Sequence, residues 1–119
     1  MKTANLTLTG TLATVIELDN PGKRFTVLRA DIENSGGSAF ASWRVLGRVT
    51  SDAPMRDITP ASITAADGYA VVSPSPRAAA TLAAGANTQL ALNFTLYDRI
   101  AVQFSGTGAV ARAWFEGVE

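Results

Sequence analysis

FTVLRADIENSGGSAFASWRVLGRVT, residues 25–50, sets two runs of alternating apolar and polar side chains on either side of a glycine pair. Period-two alternation marks a half-buried strand, so strands are predicted over Phe25–Asn34 and Ala39–Thr50. Joined by a two-residue loop at Gly36-Gly37, they oppose Ile32 to Ala41, Ala30 to Trp43 and Leu28 to Val45 on one apolar face. The other face then carries Glu33 with Phe40, Asp31 with Ser42 and Arg29 with Arg44. A slip by one residue would set apolar side chains against polar ones along the whole ladder. In this reading the glycines supply the positive φ values of a type I′ turn, Ala30 makes room for the Trp43 ring, and Arg44 reaches Asp31 diagonally. A phosphate-cradling loop is not expected, since no helix pattern follows to present an anion-binding N-terminus.

The alternation continues in both directions. Leu6/Leu8 and Leu12/Thr14/Ile16/Leu18 mark an opening strand or strand pair around Gly10, closed by the turn Asp19-Asn20-Pro21-Gly22. After Ala84-Gly85-Ala86, a hairpin across Tyr97-Asp98-Arg99 opposes Leu96 to Ile100, Phe94 to Val102 and Leu92 to Phe104. The last turn, Gly106-Thr107-Gly108, admits two registers: the preferred Thr107-Gly108 loop pairs Arg112 with Gln103, brings Phe115 to Ile100 in the core and leaves Trp114 on the outer face beside Ala101, whereas the other would bury Trp114 and aim Arg112 inward. Residues 51–86 are interrupted by Pro54, Pro60, Gly68, Pro74 and Pro76, which suits edge strands over Met55–Ile63 and Tyr69–Ser73 and a loop-rich crossover between sheets. The prediction is a single all-β domain over 1–119, a β-sandwich of about seven or eight antiparallel strands, immunoglobulin-like or jelly-roll, with residues 1–9 as an arm or edge strand.

Composition narrows the function classes. The 119 residues are 47% hydrophobic and 17% charged, which fits a packed globule with one core. Ten basic residues cancel ten acidic ones, and no cationic cluster exceeds Lys23-Arg24, so nucleic acid is not expected as a partner. No apolar run approaches the about 18 residues of a membrane helix, and the alternating amino terminus does not resemble a signal peptide, so a cytosolic site of synthesis and no membrane partner are expected.

Cysteine and histidine are both absent from the sequence. Disulfides, zinc–thiolate sites, thiol nucleophiles and the usual general base go with them. Asp31 and Glu33 lie on one strand face about 6.5 Å apart by strand rise, within reach of a glycosidase pair. Arginines beside them would hold both acids ionised, so a surface ion-pair patch is the expected role. Asp52 and Asp57 are the better-placed carboxylates for a calcium ion, without EF-hand spacing; no cofactor is expected. Gly106-x-Gly108-x-x-Ala111 matches a dinucleotide fingerprint as written, but eight residues leave no room for the helix and second strand it needs. An enzyme is not predicted.

The pair "VLRADIENSGGSAFASWRV" and "TLAAGANTQLALNFTLYDRIAVQFSGTGAVARAWF" resembles small β-sandwich structural proteins of tailed-bacteriophage virions. The shared plan is a strand, an N-x-GG turn, a strand with an aromatic, then LAAG and a final hairpin, over residues 25–50 and 80–117. The resemblance implies a capsid decoration or head accessory protein located in the virion, assembled in the host cytoplasm and acting through protein–protein contacts. Other virion proteins, the major capsid protein above all, and further copies in a homo-oligomer are the implied partners. The residues expected to make contacts are Trp114, Tyr97 and Phe40, with Asn5, Leu6 and Leu8 in an opening strand able to extend a neighbour's sheet.

The competing reading is a carbohydrate-binding or adhesive module of a tail or cell surface. Its candidate stacking rings are Phe40, Trp43, Tyr69 and Trp114.

Overall fold

The computed structural model describes residues 1–60, 77–78 and 82–119. Among them are nine strands: β1 Lys2–Thr7, β2 Ala13–Asp19, β3 Val27–Asn34, β4 Ser42–Arg48, β5 Arg56–Asp57, β6 Arg77–Ala78, β7 Asn87–Asn93, β8 Arg99–Ser105 and β9 Val110–Val118. Sheet A has the antiparallel order β1-β9-β3-β7, and sheet B has β2-β8-β4-β5, with β6 also pairing β4. The expected strand around Tyr69–Ser73 falls outside the described residues.

Outside the run from β4 to β6, every connection between consecutive described strands changes sheets. The path runs β1 in A, β2 in B, β3 in A, β4 to β6 in B, β7 in A, β8 in B and β9 in A, so that β4–β5 is the one hairpin between consecutive described strands. Two four-membered layers wound this way, with β5 and β6 sharing one place, have the strand order of a jelly roll. The three predicted hairpins are therefore corrected. β3 pairs β7 and β9, β4 pairs β8, and β8 pairs β2 and β4.

What survives is the face of each residue. Leu28, Ala30 and Ile32 point inward from sheet A, and Trp43 and Val45 point inward from sheet B. They meet across the sandwich instead of along a ladder. An inward side chain is buried in either arrangement, so alternation alone could not choose between them. Phe94, Phe104 and Trp43 are the largest fully buried side chains, and Phe40 packs on Phe104 with ring centres 5.0 Å apart.

The glycine pair also has a different job. The glycines with positive φ are Gly22, Gly85, Gly106 and Gly108, not Gly36 or Gly37. At Gly36 a Cβ would stand 2.6 Å from the Gly108 carbonyl oxygen and the Val110 nitrogen, so glycine is needed for close approach of two backbones.

Two asparagines, both fully buried, hold the sheet-to-sheet connections. Asn20 donates through Nδ2 to the carbonyls of Phe25 (3.0 Å), Phe94 (3.0 Å) and Tyr97 (3.2 Å), and its Oδ1 accepts from the Phe25 N–H (2.8 Å). Asn34, in the stretch read as a turn, donates to the carbonyls of Ser38 (2.7 Å) and Leu82 (3.1 Å) and accepts from the Gly36 N–H (3.0 Å). Main-chain groups at these bends have no ladder to join, and the amides take the ladder's place.

Candidate contact face

The outer face of sheet A brings together residues from four strands. One row across it reads Thr3 on β1, Trp114 on β9, Asp31 on β3 and Gln89 on β7. The next row sets Glu116 beside Arg29 and Ala91, and the row on the other side sets Asn5 beside Arg112, Glu33 and Asn87. Trp114 is half-buried at the centre. The Arg112 guanidinium lies 5.1 Å from its ring centre, a cation–π contact along one strand.

Trp114 separates two depressions. The larger, a shallow basin of about 560 Å³, is lined by Arg29, Asp31, Gln89, Ala91, Trp114 and Glu116 among others. The smaller, about 290 Å³, lies between Trp114 and Arg112 on one side and Thr3 and Asn5 on the other, so the ring is continuous with the β1 edge. Polar groups around the basin are paired: Gln89 donates to Asp31 (3.2 Å) and Arg29 forms an ion pair with Glu116. Arg44 does not reach Asp31. It lies in sheet B and donates to Gln103 at 2.9 Å.

The structure divides the expected contact residues. Trp114 and Asn5 reach the surface and Leu6 is half-buried, all on sheet A. Phe40, Tyr97 and Leu8 are at most 9% exposed and belong to the core, so these three are corrected to packing residues. Tyr97 is an inward anchor whose phenol burial pushes its pKa up. Trp114 lies on the outer face as expected, but its neighbours are Thr3 and Asp31, not Ala101. Of the stacking rings for a glycan, Phe40 and Trp43 are buried, Tyr69 lies outside the described residues, and Trp114 remains.

Gln89, Arg29, Glu116 and Arg112 were missed as members of this face. Their outward alternation was legible in the sequence, but their grouping needs the strand order.

The other motifs resolve structurally. Asp52 accepts from the Thr50 hydroxyl (2.8 Å) and Asp57 from the Thr59 N–H (3.0 Å), local turn bonds to Oδ1 of each carboxylate. Among the described residues no three acidic side chains gather where a metal ion could sit. The Gly106-to-Ala111 stretch is the β8–β9 crossover and leads into a strand, not a helix.

No family model and no curated protein matches the chain. Among solved structures it is similar to a chain in the structure of infectious bursal disease virus Gx strain, with a TM-score of 0.34 and 10% identity over 96% of this chain and 32% of that one. The chain thus spans about a third of the length of that relative. A likeness this distant leaves function to be argued from the chain's own residues.

Proposed function

We propose that this chain is a non-enzymatic structural protein of a virion, decorating the capsid or serving as a head accessory, and that it works through the outer face of sheet A. The observation that carries the contact face is Trp114. It is a half-buried aromatic at the centre of one sheet, continuous through a depression with an edge strand whose outer side no described strand covers. Half-exposed tryptophans flanked by arginine are the side chains that interfaces favour. The virion setting rests on the sequence resemblance, and the jelly-roll strand order agrees with it as an analogy of fold, since viral capsid domains use that order. The major capsid protein and further copies of this chain are the partners in this reading.

Light scattering on the wild type and on Trp114→Ala over a range of concentrations tests it. A closed oligomer that weakens at least about tenfold on losing Trp114 is expected, equivalent to about 1.4 kcal/mol. A strict monomer, or an oligomer indifferent to the substitution, would remove this face from the contact.

The basin beside Trp114 favours one second reading, a saccharide module, because a ring face bordered by Asp, Gln and Arg suits a pyranose. Trp43 is fully buried, so of the two tryptophans Trp114 alone reports to a solvent quencher. Protection of that fluorescence from acrylamide by a panel of neutral oligosaccharides would support the module; unchanged quenching would dismiss it.

A further inference from the structure

β1 has an outer edge whose chemistry can be read from its inner one. The Leu8 N–H donates to the Ala109 carbonyl at 2.8 Å, continuing a register in which Leu6 faces Ala111 and Ala4 faces Ala113. On β9, the Val110 and Val118 carbonyls accept from Ser35 and Thr26, on the β3 side. Antiparallel strands turn both main-chain groups of alternate residues to alternate sides. Lys2, Ala4 and Leu6 therefore bond to β9, and Thr3, Asn5 and Thr7 turn their N–H and C=O groups to the open edge. No described strand meets them.

The other edges differ. β2 carries a register shift between Thr14 and Ile16 and the charges of Glu17 and Asp19, devices that keep an edge single. β7 is open too, but its inward Leu90 and Leu92 are already covered, at 5% and 0% exposure. β1 has no proline and no bulge, its one charge is Lys2 at the end, and its inward Ala4 and Leu6 are half-covered. Of these three edges it is the one with apolar surface still to bury.

We propose that β1 pairs antiparallel with β1 of a second copy of this chain, about a two-fold axis at Asn5, joining two copies of sheet A into one continuous sheet. This deepens the assembly reading and rests on it by naming the partner. The two-fold sets Asn5 against Asn5 and Thr3 against Thr7 of the second copy, all on the outer face and all with free main-chain groups. On the inner face Ala4 meets Leu6 of the second copy. Up to about six main-chain hydrogen bonds form, no like charges oppose, and the apolar pair extends the core. Shifting the centre by one residue would leave an open-edge group without a partner. The contact is small beside the about 1,600 Å² of a standard interface, so the dimer is concentration-dependent.

Light scattering from about 1 μM to about 1 mM, on the wild type and four variants, Trp114→Ala among them, decides it. The Asn5 N–H makes no bond to β9, so Asn5→Pro removes an edge donor without breaking the sheet. It is expected to be monomeric with an unchanged circular dichroism spectrum. Thr3→Lys with Thr7→Lys sets like charges opposite across the two-fold and should weaken the dimer about tenfold, whereas Thr3→Lys with Thr7→Glu should restore it. The charge pair still decides if Asn5→Pro fails to fold. Equal weakening by both double variants overturns the register. A dimer that Trp114→Ala abolishes and Asn5→Pro spares overturns the edge pairing alone and leaves the assembly reading in place; a chain monomeric throughout overturns both.

Discussion

Sheet B and the β1 edge of sheet A treat their outward polar groups in opposite ways. On sheet B they bond to the strand beside them: Arg99 bridges Glu17 and Asp19 at 2.6 Å each, Arg48 meets Asp98 at 3.0 Å, Arg44 meets Gln103, and Gln103 reaches Thr14 at 3.1 Å. On sheet A, Thr3, Asn5 and Thr7 make no side-chain hydrogen bond among the described residues, and Trp114 stands half-open beside them. A face that bonds to itself gains little by meeting a partner, because each contact must first break one already made. Sheet A pairs Arg29 with Glu116 and Gln89 with Asp31 but keeps the β1 side chains available, which is why the contact is placed at that edge.

The contrast belongs to the outer faces only, and the interior sets the scale against which it can be broken. Asn20→Ala should cost about 3 kcal/mol in urea unfolding, since it strands the Phe25 and Tyr97 carbonyls and the Phe25 N–H and leaves the Phe94 carbonyl with the Tyr97 N–H alone. If the loss is that large, neither outer face decides the fold. Gly36→Ala should follow at about 1–3 kcal/mol, because a methyl group 2.6 Å from backbone atoms forces two connections apart.

On sheet B, Arg99→Ala should cost at most about 1 kcal/mol, the pair being largely in water. Its pH dependence is the sharper sign. The hydrogen bond from Arg99 holds the Asp19 carboxyl below the usual carboxylate range, so the contribution is present above about pH 3.9 and fades as pH falls through the depressed value. Stability curves of wild type and variant should converge in acid.

Trp114→Ala should change monomer stability least, by under about 1 kcal/mol, while changing association most. Unfolding and light scattering on the last two variants together would sharpen the contrast: Arg99 moving stability alone, Trp114 moving association alone. The reverse pattern would exchange the roles of the two faces.

How much of this was written in the sequence follows from the same geometry. Leu28, Ile32, Trp43, Val45, Leu90, Leu92 and Phe115 are inward as alternation requires, and Trp114 is outward. Partners were not legible, because a strand that arches into the opposite sheet and one that folds back beside its predecessor bury the same residues. Gly36-Gly37 fits a tight turn as well as it fits a close backbone contact, and only the position of Gly108 to Val110 separates the two. Phe40 and Tyr97 sit next to turns, where aromatic residues can point either way. In the sequence Asn34 fits a turn signal; its role as a buried clamp depends on Leu82, forty-eight residues away.

Among the described strands, β1 bonds only to β9, and β2 only to β8. On a ribosome the first two strands therefore emerge long before their neighbours exist. A chain in which distant segments must find each other closes slowly, on the order of milliseconds to seconds, and its apolar edges stay uncovered in the meantime. A chain cut before Val110 would leave β1 without its ladder, so β9 times the closing of the first strand as much as it completes the sheet.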